Sequence, residues 1–280
     1  MPFTGCSKQI CGEEVMSKFP KANKSFGQHF LNSPTVIKKI TSPLPEGCEA
    51  IVEVGPGPAV LTPHLKAYDK PLFVIEMDER FVELLSPVVG AENIYRQDAL
   101  EFNWPAFLEE KKFNSIWLVS NLPYNVSVPL TLNFMKIPEI KSMTLMYQKE
   151  VAEKILPKDL KNSMGSLHVL MLTQFDLSHV VYAPPGAFVP PPKVDSQVLN
   201  FRRKSTPLVP LSEIESFEIF LRLMFGQRRK QLGGILRKEW GHEKTTFVMD
   251  KCGISAEIRA EALTLNQVLS LYETSSRFNS

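Results

Sequence analysis

The stretch Val52-Glu-Val-Gly55-Pro-Gly57-Pro-Ala-Val-Leu61 decides the fold. An apolar run that ends on two glycines and passes into a helix-compatible segment reads as a buried strand, a tight turn and a helix start. Glycine at such a turn lets the backbone approach a ligand with no Cβ in the way. A nicotinamide fingerprint wants a third glycine three residues after the second, and that position is Val60, which disfavours a pyrophosphate ligand. For the glycine pair alone, a plain tight turn stays open as the alternative.

Outward from this loop the alternation repeats. Ala50–Val54, Leu72–Ile75, Ile116–Val119 and Met143–Tyr147 are the clearest strands, spaced by helix-compatible stretches. Apolar runs of this length are typical of parallel strands buried on both faces, so an α/β sandwich is predicted. Leu167–Phe175 fits a helix or a buried strand, because so short a run has no decisive period. The prolines Pro184-Pro185 and Pro190-Pro191-Pro192 precede an alternating segment, Val194–Phe201, read as a strand. Two prolines within Thr206–Pro210 mark a linker. Beyond it Phe217, Phe220, Leu221, Met224 and Phe225 follow the spacing of an amphipathic helix. Lys244–Cys252, Ala256–Ala262 and Asn266–Thr274 are further predicted helices, with Gly253 as a stop. The predicted organisation is an arm over 1–24, an α/β domain over 25–205 and a small all-helical domain over 206–280.

A chain of 280 residues, 44% hydrophobic and 22% charged, can build a core without staples and lacks the bias of collagen-like, disordered or coiled-coil sequences. Its 32 Lys+Arg against 30 Asp+Glu leave a net charge of +2, so any affinity for nucleic acid must come from local clustering. Such a cluster exists. Arg222, Arg228, Arg229, Lys230, Arg237 and Lys238 lie between Ile219 and Lys238 with no acid among them, read as a helix whose basic end projects. RNA phosphate is the natural answer to that charge, and a solvated helix face is the blander one. Lys18, Lys21 and Lys24, with Arg202-Arg-Lys204, extend the basic set. Cys6, Cys11, Cys48 and Cys252 fall in no zinc-binding spacing and read as reduced thiols. The first twenty residues carry Lys8, Glu13, Glu14 and Lys18, and no run of about 18 apolar residues occurs. Neither export nor a membrane span is expected, and a cytoplasmic location is.

The chemistry gathers at strand ends. Glu76 closes the second strand about twenty residues past the glycine loop, where a carboxylate accepts both hydroxyls of a ribose. Asp98, in Arg96-Gln-Asp-Ala99 after a third strand, is placed to accept from an adenine amino group. Singly, each acid has a reading as a solvated strand end. With Gly55 and Gly57 they describe a cradle for an adenosine-containing cofactor. Ser120-Asn-Leu-Pro-Tyr124 then follows Ile116–Val119. An exocyclic purine amine is a poor nucleophile, because its lone pair is delocalised into the ring. The Asn121 amide oxygen and the carbonyl of Leu122 or Pro123 can accept its N–H groups and hold it out of conjugation. Pro123 removes a donor from the loop, and Tyr124 offers a flat face to a flipped base. Transfer from a cationic sulfonium to a neutral amine spreads positive charge, which acceptors and an aromatic face stabilise. No His/Asp pair and no metal is required. The alternative for this motif is a plain Asn-Pro turn.

At these residues the chain resembles the ribosomal RNA adenine N6,N6-dimethyltransferases, and among them the small-subunit branch. The likeness runs through Phe26-Gly-Gln-His-Phe-Leu31, Val52-Glu-Val-Gly-Pro-Gly57, Val74-Ile-Glu-Met-Asp78, Gln97-Asp-Ala99, Asn121-Leu-Pro-Tyr-Asn125, Gln148-Lys-Glu150, Phe188-Val-Pro-Pro-Pro-Lys-Val-Asp-Ser196 and Phe225-Gly-Gln-Arg-Arg-Lys230. It implies a class I, Rossmann-like methyltransferase sheet followed by a small C-terminal helical domain that binds RNA. It implies S-adenosylmethionine as cofactor, held by His29, Leu31, Gly55, Glu76, Asp98 and Asn121, with Gly57 in the same loop. His29 stands where bacterial members commonly carry Asn, and a surface histidine is its other reading. Tyr124 would stack on the target adenine, with Phe188 as a second aromatic nearby or else an apolar anchor for the proline segment. The implied activity is double methylation of each of two adjacent adenosines in a stem-loop near the 3′ end of small-subunit (16S) rRNA, within an immature 30S subunit, by a monomer. Two rivals share the fold: a large-subunit adenine methyltransferase of the macrolide-resistance type, and a non-catalytic ribosome-assembly or transcription factor. Pro190–Ser196 and Gln227–Lys230 favour the small-subunit reading, and intact Asn121 and Tyr124 favour catalysis.

Overall fold

The computed structural model describes Pro20 and residues 28–159, 163–227 and 229–278. The expected arm over 1–24 (Pro20 apart), with Lys18, Lys21 and Lys24, the Phe26-Gly27 start of the first motif, and Arg228 lie outside the described residues. The strands are β1 (Phe30–Leu31), β2 (Ala50–Val54), β3 (Leu72–Ile75), β4 (Ile94–Tyr95), β5 (Ile116–Asn121), β6 (Ile140–Gln148), β7 (Phe175–Ala183), β8 (Phe188–Val189) and β9 (Ser196–Arg203). Seven of them make one sheet in the order β4-β3-β2-β5-β6-β9-β7, and β1 pairs with β8. The pairs β2/β3, β2/β5, β3/β4 and β5/β6 are parallel. Ala50, Ile51, Val52 and Val54 are all buried, as are all four residues of β3, so apart from Glu53 these central strands are apolar, as expected for strands buried on both faces. This is the expected α/β sheet of the Rossmann-like class.

The chain leaves β2 toward β3 and β4 on one side, then returns to place β5 on the other. Such a reversal opens a crevice at the carboxyl ends of the two central strands. The buried Ser120 hydroxyl donates to the Val54 carbonyl at 2.6 Å and fixes the spacing of those two ends.

Two compact units result: one runs to Gln148 and includes Val180–Val198, and the other comprises Lys149–His179 and Leu199–Ser280. The second unit takes in Lys149–His179 as well as the helical segment expected over 206–280. Its helices include Ser166–Gln174, Ile214–Phe225, Leu232–Trp240, His242–Lys251 and Leu265–Arg277. Phe217, Phe220, Leu221, Met224 and Phe225 are buried as their spacing predicts. Among the described residues no helix is long and apolar enough to cross a membrane.

Three local expectations are corrected, and one left open is decided. The strand predicted as Ile116–Val119 runs on to Asn121, because the parallel ladder with β6 continues to the Asn121–Met146 pair. The open Leu167–Phe175 segment is helix up to Gln174, and Phe175 begins β7. Its reading was obscured because the alternation of Phe175, Asp176, Leu177 and Ser178 breaks at His179 and directly follows a helical segment. The basic stretch is not one helix: Arg222 belongs to Ile214–Phe225, Arg237 and Lys238 to Leu232–Trp240, and Arg229 and Lys230 to the connection between them. Finally, Ala256–Ala262 is a turn with a single 3₁₀ piece at Ala260–Ala262. Its carbonyls have another task, for the N–H groups of Leu232 and Gly233, unpaired at their own helix start, donate to Ile258 at 2.7 Å and Ala256 at 2.9 Å.

Gly233 must be glycine for that contact. A Cβ there would stand 2.6 Å from the Ala256 Cβ and 2.8 Å from its carbonyl oxygen. Gly233→Ala is expected to lower the thermal midpoint, an overpacking cost of about 1–3 kcal/mol. The neighbouring Gly234→Ala, whose Cβ meets open space, is expected to leave it unchanged or raise it; equal melting curves for the two variants would refute the contact.

Candidate functional site

The crevice at the switch point holds a cavity of about 260 Å³ whose lining includes His29, Leu31, Gly55, Gly57, Glu76, Asp98 and Asn121. All seven residues expected to contact the cofactor are thus brought together. Gly55 and Gly57 adopt left-handed φ of +63° and +53°, which an L side chain rarely takes up. A Cβ on Gly55 would meet no atom within 4 Å, so the bare backbone faces open space. The helix after the loop is only Thr62–Lys66, five residues long.

Glu76 is buried, and both its oxygens are aligned by main chain: Gly57 N–H donates to Oε2 at 2.9 Å and Asp78 N–H to Oε1 at 2.8 Å. Burial raises its pKa, and those two N–H groups oppose the rise. Each oxygen keeps a lone pair for a further donor. Asp98 is held in a tight turn, with Leu100 N–H donating to Oδ1 at 2.9 Å.

At the tip of β5, the Asn121 Nδ2 donates to the His29 carbonyl at 3.0 Å. That bond orients the amide and leaves Oδ1 as its acceptor. The Pro123 carbonyl accepts the Val126 N–H at 3.1 Å, which leaves it one lone pair for a further donor. The Leu122 side chain is buried beneath the loop, and Pro123 and Tyr124 line the cavity. The His29 ring stacks on Tyr124, centroids 5.6 Å apart, with its Nδ1 2.8 Å from the Pro190 carbonyl. A carbonyl only accepts, so Nδ1 carries the proton.

Phe188 stands apart. It is 2% exposed, sits in the apolar core and pairs with Leu31 across the β1/β8 ladder. Its ring has no face toward the cavity and anchors the proline segment instead. Of the basic residues, Arg222, Arg229, Lys230, Arg237 and Lys238 are all exposed, in the second unit.

Three features of the site escaped the sequence reading. Asp78 accepts from Gln28 Nε2 at 2.9 Å and pairs with Arg80 at 2.5 Å, and the Arg80 bond holds its carboxyl down at about 2. Ser196 reaches Tyr124 through a hydroxyl contact. Glu53, in the middle of β2, is 1% exposed and lines the cavity. A charged residue inside an apolar central strand was the available signal for it.

Burial pushes Glu53 up to about 8, the Thr62 hydroxyl offsetting part and the Glu76 charge adding to the rise. The folded protein therefore keeps a proton that the unfolded chain releases near 4.5, and stability falls as pH rises from that value to about 8. Glu53→Gln is expected to flatten the pH dependence of the thermal midpoint across this window, and a slope equal to that of the wild type would rule out Glu53 as its source.

Comparison with known proteins agrees with this geometry. Residues 19–276 match the family described as ribosomal RNA adenine dimethylase. Proteins named ribosomal RNA small subunit methyltransferase A share 34% identity over 255 residues in Erwinia tasmaniensis, covering 89% of this chain and 92% of that one. The Klebsiella pneumoniae protein of that name shares 36% over 251 residues, covering 88% and 90%. Among solved structures, a dimethyladenosine transferase from Plasmodium falciparum superposes with a TM-score of 0.71 at 24% identity, covering 87% of this chain and 96% of that one. The 23S rRNA methyltransferase ErmE gives 0.68 at 23%, covering 88% and 99%. These two likenesses concern the fold. With nearly its whole described length inside the match, the chain belongs to the ribosomal RNA adenine dimethylase family.

Proposed function

We propose that this protein uses S-adenosylmethionine to dimethylate the N6 amines of two adjacent adenosines in a 3′-terminal stem-loop of 16S rRNA, acting as a cytoplasmic monomer on the immature 30S subunit and so contributing to its biogenesis. In this reading, residues 25–205 form the methyltransferase domain and 206–280 the RNA-binding one. The observation that carries it is the Asn121 amide, turned by the His29 carbonyl so that its oxygen is the group left to accept.

The residues fit an adenosine-bearing cofactor. Glu76, with both oxygens pre-aligned by main-chain donors, suits the paired ribose hydroxyls. Asp98 suits the adenine amine, and the bare backbone at Gly55 leaves room for close approach. Leu31 and His29 complete the wall. S-adenosylmethionine, when bound, supplies an electrophilic methyl carbon and a neutral thioether leaving group.

The chain's own part is to prepare the nucleophile. Asn121 Oδ1 and the carbonyl of Leu122 or Pro123 accept the N–H groups of the target amine, which draws the nitrogen lone pair out of the purine ring. As positive charge develops on that nitrogen, the same acceptors stabilise it, the methylated amine then releases its extra proton to water, and the Tyr124 ring holds the extruded base. Positioning supplies much of the remaining rate. The exposed Arg222, Arg229, Lys230, Arg237 and Lys238, with Arg228 between them in sequence, suit an approach to RNA phosphate rather than base reading.

Three experiments test this. Asn121→Ala is expected to lower kcat by about 10²-fold or more, as for loss of one pre-oriented polar group; turnover left intact would end the proposal. Arg229→Ala with Lys230→Ala is expected to weaken rRNA binding and reduce the salt slope by about one for each phosphate that is no longer neutralised. Undermethylated small and large subunits, assayed in parallel, should show methyl gain in the small-subunit rRNA; gain in the large-subunit rRNA instead would transfer the assignment to the macrolide-resistance type.

A further inference from the structure

The Tyr124 hydroxyl has no part in the chemistry above. A ring that serves only as a stacking face needs no oxygen, and phenylalanine would present the same surface. Yet the Tyr124 Oη lies 2.6 Å from Ser196 Oγ, a hydrogen bond that spans 72 residues of sequence and in which either oxygen can donate. Ser196 is the first residue of β9 and its side chain is fully buried. A hydroxyl in such a place demands a partner, and this one has the tip of the catalytic loop.

The opposite end of the same segment holds the other ring. Pro190, six residues earlier, accepts from the His29 imidazole at 2.8 Å, and that imidazole stacks on Tyr124. The strap between Pro190 and Ser196 is therefore attached at one end to His29 and at the other to Tyr124. Its own base is secured by Phe188, buried and paired to Leu31. Tyr124 is only half-buried, so packing alone leaves its ring free to tilt, and the hydroxyl bond removes that freedom.

We propose that Ser196 is a positioning residue for methyl transfer, which through the Tyr124 hydroxyl holds the ring as a fixed platform for the target base. This rests on the reading of Tyr124 given under the proposed function. Ser196 touches neither reacting atom; it sets the plane against which the base lies, and a misplacement of about 1 Å at a reacting centre can cost on the order of 10²-fold in rate.

The test is a double-mutant cycle on the full-length enzyme with small-subunit rRNA and methyl-labelled S-adenosylmethionine. Ser196→Ala and Tyr124→Phe are each expected to lower kcat by about 10-fold, with cofactor Kd unchanged, and the double variant to fall no further than either single one. Because Tyr124→Phe removes the same bond from the half-buried side, it still reports if Ser196→Ala fails to fold. Additive losses in the cycle, or a Tyr124→Phe enzyme at the wild-type rate, would overturn the role of Ser196. Wild-type protein that transfers no label to any rRNA would instead remove the underlying functional reading, and this proposal with it.

Discussion

The reversal of strand order between β2 and β5 is the constraint from which the site follows. Every parallel strand delivers its carboxyl end to the same edge of the sheet, and only where neighbouring chains turn opposite ways does that edge open. The Ser120 to Val54 bond sets the width of the opening. From β2 comes the glycine loop, from β3 Glu76, from beyond β4 Asp98, and from β5 Asn121. None of these side chains could meet the others in a sheet of simple sequential order.

Within the crevice, the polar groups are held before any ligand arrives. Glu76 is aligned by two main-chain donors, Asp98 by one, and Asn121 by the His29 carbonyl. Groups fixed in this way lose little further freedom when a ligand binds. The acids also share a poorly solvated space, and Glu53 and Glu76 are both pushed toward their neutral forms by burial. A cationic ligand relieves that cost, whereas an anionic one would add to it.

The sheet and the cofactor cradle were legible because their signals are local. Buried parallel strands are predominantly apolar, Gly55, Gly57 and Glu76 stand at the close of such runs, and Asp98 follows the short strand β4. What could not be read was non-local. In the edge strand β7 the alternation stops after Ser178, and Ala256–Ala262 has a helix-compatible composition but gives its carbonyls to another helix start. The roles of Phe188 and Ser196 depend on what lies across space, a core in one case and a phenol in the other. Glu53 was legible in principle, as a lone charge in an apolar strand, and its meaning comes only with its burial.

The ladder between β1 and β8 joins Phe30 to Val189 and Leu31 to Phe188, and Asn32 N–H donates to the Ala187 carbonyl at 2.8 Å beside it. One rim of the crevice is thus woven from segments that lie at opposite ends of the first unit's sequence. During synthesis, the early segment emerges long before its mate, and the rim stays unfinished while some 150 intervening residues are translated. A nascent chain can assemble its central strands in that interval, and the β1/β8 ladder closes only when the late segment has left the ribosome.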